Sequence, residues 1–449
     1  MGDPGQDQDQ QHMKLQHHNA DLLALFDGDP QRVADAVASA LADGSTNLRL
    51  PTELGAAGID PEAALSLVSP YLRAAARDLG DPGFLAHMDP PTPWITWVVS
   101  LLAASSNQNL LHPDTAPAAR QLEAQVIDWI APVFGMGGGH IVPGSTVANL
   151  TALWAARDIT GADTIVASTL SHLSIRKAAA ILGLRYVAIE PAAGAALTPA
   201  DLAGAFATSA TEPLDPAATI VVLTAGTTGV GAIDQLDLGQ LDPAGLDLRP
   251  AWVHVDAAWA GPMRFSATHR HRLDGIDNAQ SVAVSAHKWL HQPKESALIM
   301  FNDLASANEA ISVGGAYLQA PNVGLLGSHG AAAAPLAATL LLLGLDGVER
   351  LIDHGMAMAD RLVQAIESHP RLEVFAPSSS GVVAWRHLDH PSSAIRETMA
   401  AAAPAKRAFV STIDIDGSTW LRSVAANPMA DVDGVVSAVL AAAETLSAN

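Results

Sequence analysis

The stretch SVAVSAHKWL, residues 281–290, is a run of small and β-branched side chains that ends on a lysine, Lys288, set between His287 and Trp289. A lysine in a strand-like segment is ordinarily a solvated edge charge. Working outward, a second run of the same kind, AWVHVDAAWAG at 251–261, places Asp256 at its end, 32 residues (288 − 256) before the lysine. Further upstream lie DTIVAS (163–168), RYVAIE (185–190) and ATIVVLTAG (218–226), interleaved with Ala-rich helical stretches such as SIRKAAAILG (174–183). Strands that read as continuous apolar runs, with helices between them, indicate a mostly parallel sheet covered on both faces. The sequence predicts an α/β fold.

The 449 residues divide by pattern into three segments. Residues 1–78 read as a helical N-terminal segment, in which DGDPQRVADAVASALADG (27–44) is a helix capped by Asp27 or Asp29 and ended by Gly44. Residues 79–345 hold the α/β domain. Residues 346–449 carry an amphipathic helix, the strand-like runs LEVFAP, GVVAWRH and STWLRSVAANP, and a closing helix, which predicts a small α+β domain.

Composition excludes several functions. A net charge of −22, from 24 Lys and Arg against 46 Asp and Glu, opposes a nucleic-acid surface, because phosphate backbones are gripped by clustered cations. With no cysteine there is no disulfide, thiolate metal site or cysteine nucleophile, which fits a cytoplasmic location. The first residues lack the basic and apolar regions of a secretory signal. The most apolar later run, AAAAPLAATLLLLGL (331–345), is broken by Pro335 and is short for a bilayer, so no membrane association is expected. The histidines, including HRHR at 269–272, lack the acidic or thiolate company of a metal centre.

In open α/β sheets ligands sit at the carboxyl ends of the strands. Several runs end on polar residues there: Asp256, Lys288, and the Thr/Gly turn TAGTTGVG at 224–231. PGSTVAN (143–149) opens a helix at Ser145 and Thr146, where free N–H groups favour an anion. GMGGGH (135–140) reads as a loop and fails the dinucleotide-binding pattern at His140. An amine, a carboxylate and a phosphate cradle at strand ends match the requirements of pyridoxal 5′-phosphate (PLP).

On VHVDAAWAG and SAHKWL, with DPGFLAHMDPP (81–91), NQNLLHPDTAPAARQLEAQVIDWI (107–130) and LRSVAANP (421–428), the chain resembles the group II PLP-dependent amino-acid decarboxylases, which act on aromatic amino acids, tyrosine, glutamate, aspartate or diaminobutyrate. The resemblance implies the aspartate-aminotransferase-like fold type I and a homodimer with shared active sites, wrapped by the N-terminal segment. It implies a small-molecule amino-acid substrate bound through a Lys288 Schiff base and decarboxylated through a quinonoid. Asp256 would pair with the ring nitrogen, Ala258 would pack on one ring face, and His172 would stack on the other and meet the substrate carboxylate. Ser145, Thr146, Ser285 and His287 would surround the phosphate, and Thr227 would lie in a turn touching the cofactor. Ser328 and His329, in GLLGSHGA, would reach a neighbouring subunit's phosphate. Phe84, His87, Met88 and Tyr317 would border the substrate, and Arg422 matches a family arginine whose role is either structural or substrate-binding.

The sequence departs from its relatives in three places. His329 stands where the matching GSR turn carries arginine. Val147 stands where they carry glutamate, and the segment after Tyr317 is short and lacks the tyrosine that delivers a proton to Cα. Two chemistries stay open. One is simple decarboxylation; the other is decarboxylation coupled to oxidative deamination, or β-elimination, on an amino acid or S-conjugated cysteine. An inactive structural homologue is the remaining, non-enzymatic alternative.

Overall fold

The structure, a computed structural model, describes residues 28–54, 58–73, 76–191, 196–208, 214–238, 249–316, 318–402 and 408–448. Expectations for the polar N-terminus, Asp27 and Tyr317 therefore lie outside the described residues. The chain forms two compact units, Met1–Asp78 and Leu79–Asn449. In the first, a helix Pro30–Ala42 is capped by Asp29, whose carboxylate accepts the Gln31 N–H at 3.0 Å. A second helix follows at Pro61–Arg73.

The second unit is built on seven strands: β1 (Gly138–Val142), β2 (Thr164–Ser168), β3 (Arg185–Ile189), β4 (Thr219–Thr224), β5 (Trp252–Asp256), β6 (Ser281–Val284) and β7 (Ala297–Phe301). Their order is β1-β7-β6-β5-β4-β2-β3. The ladders from β3 to β6 are parallel, and β7 is antiparallel to both β6 and β1. β2, β4, β6 and β7 are buried along their whole length. Successive residues feed two separate cores: Ile165, Ala167, Ile220 and Val222 pack in one, and Val166, Val221 and Leu223 in the other. Each fully buried aliphatic side chain contributes about 1.5–3 kcal/mol, so a β-branched run is the stable choice on both faces.

β1 corrects part of the reading of GMGGGH as a loop: residues 135–137 form a turn, while Gly138, Gly139 and His140 are strand. Its glycines belong to the ladder with β7, and a Cβ on Gly139 would stand 2.1 Å from the Ile299 carbonyl oxygen. Only glycine allows that approach. β6 stops at Val284, so Lys288 lies in the turn beyond the strand and not in it.

A two-residue ribbon, β8 (Ser312–Val313) with β9 (Asn322–Val323), follows the sheet. The helix Ala334–Glu367 then runs through a kink at Gly344, where φ is 61°. Pro335 lies in its first turn, where the missing N–H costs nothing, and thus starts the helix without breaking it. A four-stranded antiparallel sheet closes the unit, ordered β10 (Leu372–Val374), β11 (Val382–His387), β13 (Ser418–Val424), β12 (Ser411–Ile415). The second half of the kinked helix joins the helices Ser392–Ala401 and Val432–Ala448 in a third core with this sheet, around Leu362, Trp385, Ile395, Leu421 and Val439. Among the described residues no helix is long and apolar enough to cross a membrane.

Candidate active site

β4, β5 and β6 are parallel neighbours, so their carboxyl ends emerge side by side. Asp256 ends β5. The turn after β6 carries Ser285, His287 and Lys288, and is bonded to the turn after β5: the Ala257 N–H donates to Ala283 O at 2.9 Å and the Ser285 N–H to Ala258 O at 3.3 Å. Two buried indoles lock the same turns. Trp259 and Trp289 stack with centroids 4.6 Å apart and planes 16° from parallel, and their N–H groups donate to Ser380 O at 2.6 Å and Ala425 O at 3.2 Å.

Asp256 is buried. One of its carboxylate oxygens accepts the Asn149 amide at 2.9 Å and the other the Ala258 N–H at 3.2 Å. Burial pushes the Lys288 amine below the usual lysine range, opposed by the nearby Asp256. That amine makes no hydrogen bond or ion pair among the described residues. His172 caps the helix Leu173–Leu182, its Nδ1 accepting the Ser174 N–H at 3.2 Å. Burial lowers its pKa, with Asp256 opposing and Lys288 and Lys177 reinforcing.

The helix Ser145–Thr160 begins after Gly144, held at φ 95°. At this end the Ser145 hydroxyl lies 2.5 Å from that of Ser285, and His287 Nε2 lies 3.5 Å from Ser285 Oγ. Burial, with Lys294 and Lys288 adding, pushes His287 down to about 4. Its Nδ1 is buried without a hydrogen-bond partner. An uncommitted amine, a buried carboxylate supplied only with neutral donors, and hydroxyls gathered at a helix N-terminus form a donor set that fits PLP.

The other sequence-predicted residues fall in three places. Thr227 is buried, and its hydroxyl accepts the Ala232 N–H of its own turn at 3.0 Å. Phe84 and Met88 are buried and His87 is exposed, on a segment paired at Phe84 with Phe409. Arg422 holds that segment through Ala86 O at 3.3 Å and the Thr turn through Thr228 O at 2.6 Å. Ser328 and His329 lie beside Asn109 and Leu110: Asn109 donates to the Ser328 hydroxyl at 3.0 Å, and the Leu110 N–H donates to His329 O at 2.9 Å. Thr146 is exposed at the helix start.

Sequence reasoning missed Asn149, Ser174, His254 and the tryptophan pair. Two of them carried a signal. Asn149 follows Ser145 by one helical turn, and His254 precedes Asp256 by one strand repeat, so each shares a face with a named site residue.

Residues 65–388 match the family model described as the pyridoxal-dependent decarboxylase conserved domain. The L-2,4-diaminobutyrate decarboxylase of Rhizobium meliloti (strain 1021) is 29% identical over 400 residues, covering 83% of this chain and 79% of that protein. The phenylacetaldehyde synthase of Arabidopsis thaliana is 26% identical over 358 residues, covering 71% and 72%. In fold, the chain superposes on Oryza sativa TDC, solved with PLP and tryptamine, with a TM-score of 0.78 at 20% identity over 95% of this chain and 98% of that one.

Proposed function

From the chain's membership of the pyridoxal-dependent decarboxylase family, we propose that it removes the α-carboxylate of an L-amino acid with PLP held by Lys288, Asp256 and the start of the helix Ser145–Thr160. The observation that carries this reading is the uncommitted, half-buried Lys288 amine on the turn next to buried Asp256. When bound, PLP supplies an electron sink that allows a bond at the substrate Cα to break. Lys288, less readily protonated than a free lysine, is the nucleophile for the cofactor carbonyl. Asp256 holds a proton at the ring nitrogen. The hydroxyls of Ser145 and Ser285, with the helix N–H groups, bind the phosphate. His172, a largely neutral ring, is a hydrogen-bonding wall for the substrate carboxylate.

The test is a panel of L-amino acids that includes 2,4-diaminobutyrate, aspartate and the aromatic residues, with CO2, oxygen and ammonia followed together. A yellow protein releasing CO2 and an amine, with both properties lost in Lys288→Ala, is the expected result. Absence of CO2 from every member of the panel would refute the reading. A second chemistry, aldehyde formation, is favoured by the absence of tyrosine from residues 318–333. Oxygen uptake in step with CO2 and ammonia would establish it.

The same reading includes a cytoplasmic homodimer in which residues 1–78 wrap the partner, residues 79–345 and 346–449 act as large and small domains, and Ser328 and His329 serve the neighbouring site. An apolar surface supports the dimer: the helix Trp94–Ser106 buries only Thr96 and exposes Trp94, Trp97 and Leu102, and Leu341 and Leu342 are also exposed. An active monomer in sedimentation would sink this part.

A further inference from the structure

Behind Asp256 and His172 runs an unbroken line of buried hydrogen bonds. The Trp252 indole N–H donates to Ser281 Oγ at 2.9 Å, and Ser281 Oγ lies 2.9 Å from His254 Nδ1. His254 Nε2 lies 3.0 Å from Asn149 Oδ1. The Asn149 amide nitrogen is 2.9 Å from Asp256 and 2.9 Å from Ser174 Oγ, which is 2.8 Å from His172 Nδ1. Trp252, Ser281, His254, Asn149 and Ser174 are all buried, so water does not compete for these bonds.

One set of directions satisfies every bond in the line. An indole N–H can only donate, and an ionised carboxylate can only accept. Asp256 therefore takes the amide side of Asn149, which turns Oδ1 toward His254 and requires the proton of that ring on Nε2. Burial pushes His254 down to about 4, so at neutral pH the ring is neutral and Nδ1 is an acceptor for the Ser281 hydroxyl. Asn149 spends its second amide hydrogen on Ser174, whose hydroxyl then donates to His172 Nδ1. The Ser174 backbone N–H points at the same atom, which a protonated Nδ1 would repel.

We infer that Asn149 is a positioning residue at the branch of a one-way donor chain, which holds Asp256 as the acceptor carboxylate and fixes the proton of His172 on Nε2. His172 Nε2 makes no hydrogen bond among the described residues and is thereby the ring's free donor. The chemical consequence concerns the substrate: an Nε2–H is a donor to a carboxylate oxygen, whereas the opposite tautomer would set a lone pair against it. That consequence rests on the decarboxylase reading. The tautomer itself does not.

The experiment uses the full chain without cofactor, carrying 15N-labelled histidine, with His172 and His254 assigned from the His172→Gln and His254→Gln spectra. At pH 7.5 both rings are expected to show a protonated Nε2 and an unprotonated Nδ1. Asn149→Asp keeps the shape of the branch but removes the amide donor, so Ser174 must donate to position 149 and can no longer donate to His172. The Ser174 backbone N–H still favours an unprotonated Nδ1, so the fraction of His172 protonated on Nδ1 is expected to rise several-fold from under about a tenth without becoming the main form. In the loaded enzyme the same change raises KM about tenfold or more, the loss expected for a hydrogen bond to a charged group. Nδ1–H on either ring in the unsubstituted protein overturns the proposal, even if Asn149→Asp fails to fold. An unchanged His172 tautomer in a folded Asn149→Asp overturns it as well, whereas a changed tautomer with unchanged KM overturns only its consequence for the substrate.

Discussion

Arg422 shows how a single residue can be committed to architecture. It is buried, its Nε–H donates to Thr228 O at 2.6 Å, and its Nη1 donates to Ala86 O and to Ser411 Oγ, each at 3.3 Å. Burial lowers its pKa to about 10, so it stays charged at neutral pH, and its fork ties β13 to three other segments at once. A lysine cannot present that planar fork. Arg422→Lys is therefore expected to lower stability by about 1–3 kcal/mol in urea denaturation, leaving the substrate KM unchanged. A raised KM without loss of stability would assign Arg422 to the substrate instead. At this scale the sequence discloses residues whose chemistry is rare in its context. Lys288 and Asp256 stand out because each charge ends an apolar run. Asn149 and Ser174 do not, because a neutral polar residue acquires its role from contacts 25 to 107 positions away in the chain.

At the scale of elements, the stacked pair Trp259 and Trp289 couples three pieces of structure. Each indole follows a site residue by one to three positions, and each N–H is anchored to a backbone carbonyl, of Ser380 or of Ala425. Truncating a buried tryptophan typically costs about 3–5 kcal/mol, and residues in contact are non-additive. Trp259→Ala and Trp289→Ala are each expected to fall in that range by urea denaturation. The double variant should lose clearly less than their sum, since the second truncation enlarges a cavity already open. Strict additivity would show that the turns are held independently. The parallel strands are legible in the sequence because burial on both faces forces β-branched runs. β1 is not, because its glycines answer to the Ile299 carbonyl across the ladder and carry no strand propensity of their own. Nor is the end of β6 legible, since the small residues of VSAH suit a strand and a turn equally.

Across the whole molecule, buried titratable groups set how stability responds to acid. Burial pushes His254, His287 and His291 from 6.5 in the unfolded chain to about 4. Between those values the unfolded state binds more protons, so the stability these residues contribute is present above pH 6.5 and is lost as pH falls toward 4. Glu123, raised to about 7 from 4.5, and Asp234, raised to about 6 from 3.8, act in the opposite sense, because the folded state holds their protons and loses that contribution as pH rises through 6 to 7. Near pH 5 three histidine protons oppose two carboxyl protons. The difference is about one proton, or ~1.4 kcal/mol of lost stability per pH unit of acidification. His140 and His172, also lowered by burial, add in the same direction. Urea midpoints measured from pH 7 to 4.5 should therefore fall with acid, and His254→Gln should flatten that slope by about one proton even though it lowers the midpoint at pH 7. A slope unchanged by His254→Gln would mean that His254 is protonated in the folded state, and Asn149 would then face a charged ring in place of a neutral donor.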